Sequence, residues 1–283
     1  MTDRSVTIAY MYFSDQGSGT PVLLLPANGH DSRDYAGVVP TLSGRNRVIA
    51  VDWPGFGRTP APEPPGSASA GAFAAELAAL VERLNLPAAH IIGNSIGGYA
   101  AARLAIEAPH RVRSLVLVSP GGFPVLGFGD RLFISLRGRP GVTRLINRRF
   151  ASSYLHLRTP LTRQIIERAT YRRGDVRAVI DAAIWRSFRD PDFDLRSLAD
   201  QITAPTLVAW GRHDPVFGAR ARAQVARSLP RASTITFDTG HVPFAEDPAA
   251  FLAEVQPFLD RVEGDAAHAR GDQMDGRGGR QGI

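Results

Sequence analysis

The chain contains no cysteine, and all 33 of its Lys-or-Arg positions are arginine. Without cysteine there is no disulfide framework, no thiolate nucleophile and no Cys-ligated zinc, iron–sulfur cluster or haem, which leaves oxygen nucleophiles. No apolar run approaches the roughly 20 residues that span a bilayer, and the polar start Thr2-Asp3-Arg4 is unlike a basic-then-apolar signal peptide. A cytoplasmic chain without a membrane partner is therefore expected. The net charge of +6 is carried by arginine alone, a bias of composition rather than a sign of phosphate contacts. No recognition helix, RNP-type aromatic motif or zinc finger accompanies it, so nucleic acid is not an expected partner.

What is present is an ordinary globular balance, 44% apolar and 21% charged, enough to bury a sizeable core. Residues 6–13 are rich in β-branched and aromatic types, and Gly17-Ser18-Gly19-Thr20-Pro21 breaks the chain before the apolar run Val22-Leu23-Leu24-Leu25. That reads as strand, turn, buried strand. Helical spacing over 33–42, 70–84 and 96–108 alternates with short apolar runs at 47–51, 90–92 and 114–118. After Gly122 the pattern changes to Arg-rich amphipathic helices up to about 198, and βα alternation returns at 205–210, 219–229, 233–237 and 248–262. Such alternation predicts an α/β fold: a mostly parallel central sheet with helices on both faces and an inserted helical cap. The expected division is a core of 1–120 and 199–263, a cap of 121–198 and a disordered tail of 264–283, Gly-, Asp- and Arg-rich without apolar periodicity.

The strongest local signal is Gly93-Asn94-Ser95-Ile96-Gly97-Gly98 between a predicted strand and a predicted helix. It fits the G-x-S-x-G elbow, in which the serine occupies a strained turn and the flanking glycines let strand and helix approach. Ile96 opens the helix, so its N–H can point at a developing oxyanion. The competing phosphate-loop reading lacks both G-x-G-x-x-G and Gly-Lys-Ser/Thr. An unactivated hydroxyl is a poor nucleophile, so the elbow predicts a later histidine and, before it, a carboxylate. Asp214 in Gly211-Arg212-His213-Asp214-Pro215 and His241 in Thr239-Gly240-His241-Val242 each follow a predicted strand, placing them with Ser95 beyond the carboxyl edge of the sheet. His213 is read as a loop residue, Asp238 and Glu246 as strand-end or helix-cap acids, and Asp52 as the support of its own turn.

With these motifs in this order the chain resembles the α/β-hydrolase superfamily from about residue 6 to 262, in its serine-nucleophile branch. The resemblance implies that Ser95 attacks an acyl carbon, His241 takes and returns the proton, and Asp214 holds the imidazole tautomer. It also places Asn28, within Pro26-Ala27-Asn28-Gly29-His30, where the second oxyanion N–H originates; many relatives have His-Gly in that loop. His30 becomes a candidate for the pocket lining. A serine rather than an aspartate nucleophile argues against epoxide hydrolases and haloalkane dehalogenases, so an ester or lactone hydrolase without metal or organic cofactor is the leading expectation.

The elbow and Ser119-Pro120-Gly121-Gly122 are also similar to segments of the carbon–carbon hydrolases of meta-cleavage products. Their Gly-Gly-Pro-Gly loop is absent here, and Val242 stands where they often carry tryptophan after the histidine, at a candidate substrate-binding position. A non-catalytic small-ligand receptor on the same fold is the third reading. Between 121 and 198 there are 15 arginines against 7 acids, so the partner is expected to be a small molecule, anionic if the cap arginines face the pocket. Arg163, Arg172, Arg173 and Arg186 are the candidates for a carboxylate clamp.

Overall fold

A computed structural model describes residues 6–8 and 11–278. Eight strands form one sheet in the order β1-β2-β4-β3-β5-β6-β7-β8: β1 (Val6–Ile8), β2 (Met11–Gln16), β3 (Pro21–Leu25), β4 (Arg47–Val51), β5 (Ala89–Asn94), β6 (Val112–Val118), β7 (Thr206–Gly211) and β8 (Ser233–Phe237). The pairs β1–β2 and β2–β4 are antiparallel and all others parallel. The single strand expected over 6–13 is two, paired with Val6 opposite Phe13.

Helices α1 (Val39–Leu42), α2 (Ala70–Arg83) and α3 (Ile96–Glu107) follow the early strands. Four more, α4 (Phe128–Arg137), α5 (Pro140–Tyr154), α6 (Pro160–Arg168) and α7 (Val176–Ser187), lie between β6 and β7, and α8 (Ala219–Ser228), α9 (Pro243–Glu246) and α10 (Pro248–Gly278) complete the chain. The expected helix over 33–42 is instead a 3-10 turn at Ser32–Tyr35 followed by α1. No described helix is long and apolar enough to cross a membrane.

Alternation along the strands explains the two-layered core. Leu23, Leu25, Ile49, Val51, Ile91, Leu115 and Leu117 pack with Phe73, Leu77 and Leu104 of α2 and α3. Val22, Leu24, Val48, Ala50, Ile92, Val116 and Val118 pack on the other face with Phe244, Phe251, Val255 and Leu259 of α9 and α10. Both faces are covered, so each large apolar side chain of β3 contributes roughly 1.5–3 kcal/mol, and the strand reads as an unbroken apolar run.

One expectation is corrected. The tail from Gly264 was read as disordered, but α10 continues to Gly278. Its first turns are nucleated by packing, with Phe251, Val255, Phe258, Leu259 and Val262 buried, and propagating an existing helix needs no second nucleus. Residues 279–283 lie outside the described residues.

Candidate active site

Parallel strands bring their carboxyl ends to one edge, and the loops there assemble the site. Ser95 sits between β5 and α3 with φ 55° and ψ −110°, a sparsely populated conformation for a residue with a Cβ. The flanking sequence enforces it. A Cβ at Gly93 would fall on the backbone of Gly97 and Gly98, and one at Gly97 on the carbonyl of Leu25. The turn is pinned by Ser95 N–H donating to the Val118 carbonyl at 2.9 Å and Gly121 N–H donating to the Ser95 carbonyl at 3.0 Å. Ile96 is the first residue of α3, where a backbone N–H has no acceptor within the helix.

His241 and Asp214 meet as expected. His241 Nδ1 lies 2.8 Å from Asp214 Oδ2, which also accepts from the Ser119 hydroxyl at 2.8 Å, while Oδ1 accepts from the Val216 N–H at 2.8 Å. Burial pushes the Asp214 carboxyl up, but the charge of His241 and the hydrogen bonds from His241, Ser119 and Val216 outweigh it and hold the group below its ordinary value. The His241 loop is fixed by its own N–H donating to the Tyr154 carbonyl at 2.7 Å and by Asn94 Nδ2 donating to the His241 carbonyl at 3.2 Å.

Glu246 has a larger part than the helix cap expected for it. Its buried carboxylate accepts four backbone N–H groups, from His156 and Leu157 at 2.8 Å, Gly240 at 2.9 Å and Val242 at 3.2 Å. It thereby ties the His241 loop to the end of α5. Removing it orphans four donors, so Glu246→Ala is expected to lower stability by about 3 kcal/mol or more in urea unfolding. A loss below about 1 kcal/mol would show that other groups hold the loop.

A cavity of about 660 Å³ lies between the sheet edge and helices α4, α5 and α7. Asn28, His30, Ser95, Ile96 and His241 all line it, although Ser95 and His241 are not hydrogen-bonded to each other among the described residues. Its walls are aromatic, with Phe133, Phe150, Trp185, Phe188, Phe193 and Phe217. The Asn28 amide donates to Asp181 Oδ1 on α7 at 2.7 Å, which ties the loop after β3 to the helical insertion. His30 is buried between the carboxylate of Asp34 and the Tyr154 hydroxyl, at 2.5 Å from the latter.

The arginine expectation is corrected. Arg163, Arg172, Arg173 and Arg186 are exposed and none lines the cavity, and Arg186 donates to the Gly138 carbonyl at 2.6 Å. Val242 does not line it either; its side chain is fully buried in the sheet-side core. The cavity arginines are Arg137 and Arg220. Arg137, only 1% exposed, lies over the rings of Phe150 and Trp185 at 4.9 and 5.0 Å. Its Nη2 donates to Asn147 Oδ1 at 2.8 Å and approaches Asp181 Oδ2 at 3.4 Å, while Nε and Nη1 have no partner. Burial raises the Asp181 carboxyl above its ordinary value against the opposing pull of Arg137. Sequence periodicity carried no sign of Arg137, Tyr154, Asn147 or Trp185, because which face of α4, α5 or α7 turns inward depends on how the helices pack together.

His213 stacks on His156 with ring centroids 3.8 Å apart and meets Asp238 at 3.0 Å, away from the cavity. Asp52 accepts the Ser32 and Arg58 N–H groups, each at 2.8 Å, and supports its turn. Among the described residues no three His, Asp or Glu side chains gather as a metal site.

Residues 20–248 match the family described as alpha/beta hydrolase fold. The chain is 28% identical over 280 residues to the 2-hydroxy-6-oxononadienedioate/2-hydroxy-6-oxononatrienedioate hydrolase of Cupriavidus pinatubonensis, covering 91% of this chain and 95% of that one. It is 27% identical over 232 residues to the 2-hydroxy-6-oxo-6-phenylhexa-2,4-dienoate hydrolase of Comamonas testosteroni, covering 76% and 78%. Among solved structures, a membrane phospholipase A described as a bacterial virulence factor superposes with a TM-score of 0.74 at 27% identity, over 93% of this chain and 86% of that one.

Proposed function

Because the chain belongs to the alpha/beta hydrolase fold family, we propose that it is a serine hydrolase that cleaves a carboxylic ester or lactone of a small molecule through an acyl-enzyme on Ser95. One observation carries this reading: the strained Ser95 borders the same cavity as an imidazole held by a buried carboxylate. His241 Nε2 accepts the Ser95 proton as Oγ attacks the acyl carbon, and the oxyanion faces the N–H groups of Ile96 and Asn28. His241 then protonates the leaving alkoxide, and water activated by the same imidazole releases the acid. No metal or organic cofactor enters these steps.

Carbon–carbon hydrolysis of a dienoate is the second reading, favoured by the two relatives named for such substrates. Both readings share Ser95 and differ in the bond presented to it. The test is intact mass after treatment with a fluorophosphonate, digestion to locate the adduct, and turnover of an ester, lactone and dienoate panel. A single adduct on Ser95 with ester turnover is expected. A folded protein that takes no adduct overturns the activated serine, and dienoate turnover without ester turnover moves the second reading forward.

The substrate's charge is proposed on a revised basis. Arg137 lines the aromatic cavity and two of its buried guanidinium nitrogens have no partner within the protein; a substrate carboxylate seated against the guanidinium would supply an acceptor. Arg137→Met is expected to lower kcat/KM for a 4-nitrophenyl hemiglutarate by about 30-fold or more, and for 4-nitrophenyl valerate by under about threefold. Equal losses on the two esters would remove the carboxylate from the reading.

A further inference from the structure

The helix that walls the cavity on one side is apolar on the other. On α4, Asp130, Phe133, Ile134 and Arg137 line the cavity. Phe128, Leu132 and Leu136, at i, i+4 and i+8, form a second stripe that is 85%, 53% and 41% exposed. Helix α5, packed against α4, leaves Leu145 76% exposed. Scattered exposed leucines need no explanation, but a helical stripe headed by a phenylalanine standing almost wholly in water marks an interaction site.

The charge around the stripe identifies what it meets. Residues 128–154 carry six arginines and one acid, and that acid, Asp130, caps its own helix by accepting the Gly127 N–H at 2.8 Å. Arg131, Arg139, Arg144, Arg148 and Arg149 are exposed. Two copies of this face brought together would set arginine against arginine with no acids to relieve them, which disfavours self-association. An anionic lipid surface relieves both features: the headgroups accept the guanidinium charge and the acyl boundary takes Phe128, Leu132 and Leu136.

We propose that the outer face of α4 and α5 docks the protein on membranes containing anionic lipid, with α4 lying in the interface. The proposal concerns binding alone and stands whether or not Ser95 is a nucleophile. Docked in this way, the cavity wall formed by α4 is one helix diameter from the bilayer, within reach of esters that partition into lipid.

The test is co-sedimentation of the full chain with large vesicles of phosphatidylcholine alone and of phosphatidylcholine with phosphatidylglycerol, at low and high salt. Sedimentation velocity runs beside it. Wild type is expected to sediment with the phosphatidylglycerol vesicles and to be released by salt. Substituting Phe128→Ser, Leu132→Ser and Leu136→Ser together should weaken binding about tenfold or more while the circular dichroism of the folded chain stays that of wild type, since Phe128 stands in water and the two leucines are about half exposed. Arg131→Gln with Arg139→Gln should also weaken it about tenfold. Binding that is absent, equal on both vesicles or undiminished in the serine variant overturns the proposal. So does a wild-type dimer that Phe128→Ser dissociates, which would assign the stripe to a second copy.

Discussion

Ser95→Ala is expected to lower kcat by about a millionfold, while the Kd of a product-like acid changes by less than about threefold. The asymmetry follows from what the hydroxyl does. In the proposed mechanism its oxygen forms the covalent bond, and no other hydroxyl follows a strand into the turn that opens α3. The surrounding donors and aromatic walls that bind ligand stay in place. The same position offers a control on folding. Ser95 holds φ 55°, a backbone state that costs a residue with a Cβ on the order of 1–3 kcal/mol. Alanine keeps that strain and glycine relieves it, so Ser95→Gly should unfold at higher urea than Ser95→Ala although both are inactive. A Ser95→Ala protein with substantial turnover would move the nucleophile elsewhere. Glycine giving no gain over alanine would mean that the turn is not strained.

How much of this was legible in the sequence depends on whether a feature is local. The elbow could be read because Gly93 must be bare for its strand to meet the start of α3, a constraint local to the motif, whereas the need for Gly97 comes from Leu25 on the neighbouring strand. Asp214 could be placed because β7 is buried throughout and announces itself as an apolar run, whereas His241 follows the mostly exposed edge strand β8, legible from its β-branched Thr-Ile-Thr and the Gly240 turn after it. Asn28 was placed by resemblance, yet the bond of its amide to Asp181 spans 153 residues and left no local trace. The insertion resisted reading for the same reason. Its helices carry arginine on several faces, and which face turns inward is decided by how α4, α5 and α7 pack. Arg137 therefore went inside, against Phe150 and Trp185, while Arg163, Arg172, Arg173 and Arg186 stayed in water. Glu246 resembles any acid at a helix start until the backbone of the adjoining His241 loop and of the distant segment after α5 is seen to converge on it.

Asp214→Asn carries the second largest expected effect, a fall in kcat of about 10⁴-fold with the chain still folded, and the structure states why an isosteric change should do so much. Val216 donates its N–H to Asp214 Oδ1, so in the variant the amide oxygen belongs at that position; the reverse orientation would face an NH2 group to an N–H. The amide nitrogen then occupies the Oδ2 position, between the Ser119 hydroxyl and His241 Nδ1. There it can only donate, which selects the tautomer with a bare Nδ1 and a proton on Nε2, the form that cannot accept a proton from Ser95. Ser119→Ala removes one hydrogen bond to the carboxylate without inverting the tautomer, and its loss should stay near tenfold. A nitrogen NMR spectrum of His241 reads the tautomer directly: Nε2 protonated in the Asp214→Asn protein and Nδ1 protonated in wild type. The carboxyl's lowered pKa adds a stability signature of defined sign. Interactions that hold a folded-state pKa below its unfolded value stabilise at neutral pH, fully so above the unfolded value near pH 4, and are lost as pH falls through the folded value. The stability difference between wild type and Asp214→Asn should therefore shrink as pH falls below about pH 4. A difference that instead grew in acid would contradict the charge assigned to Asp214.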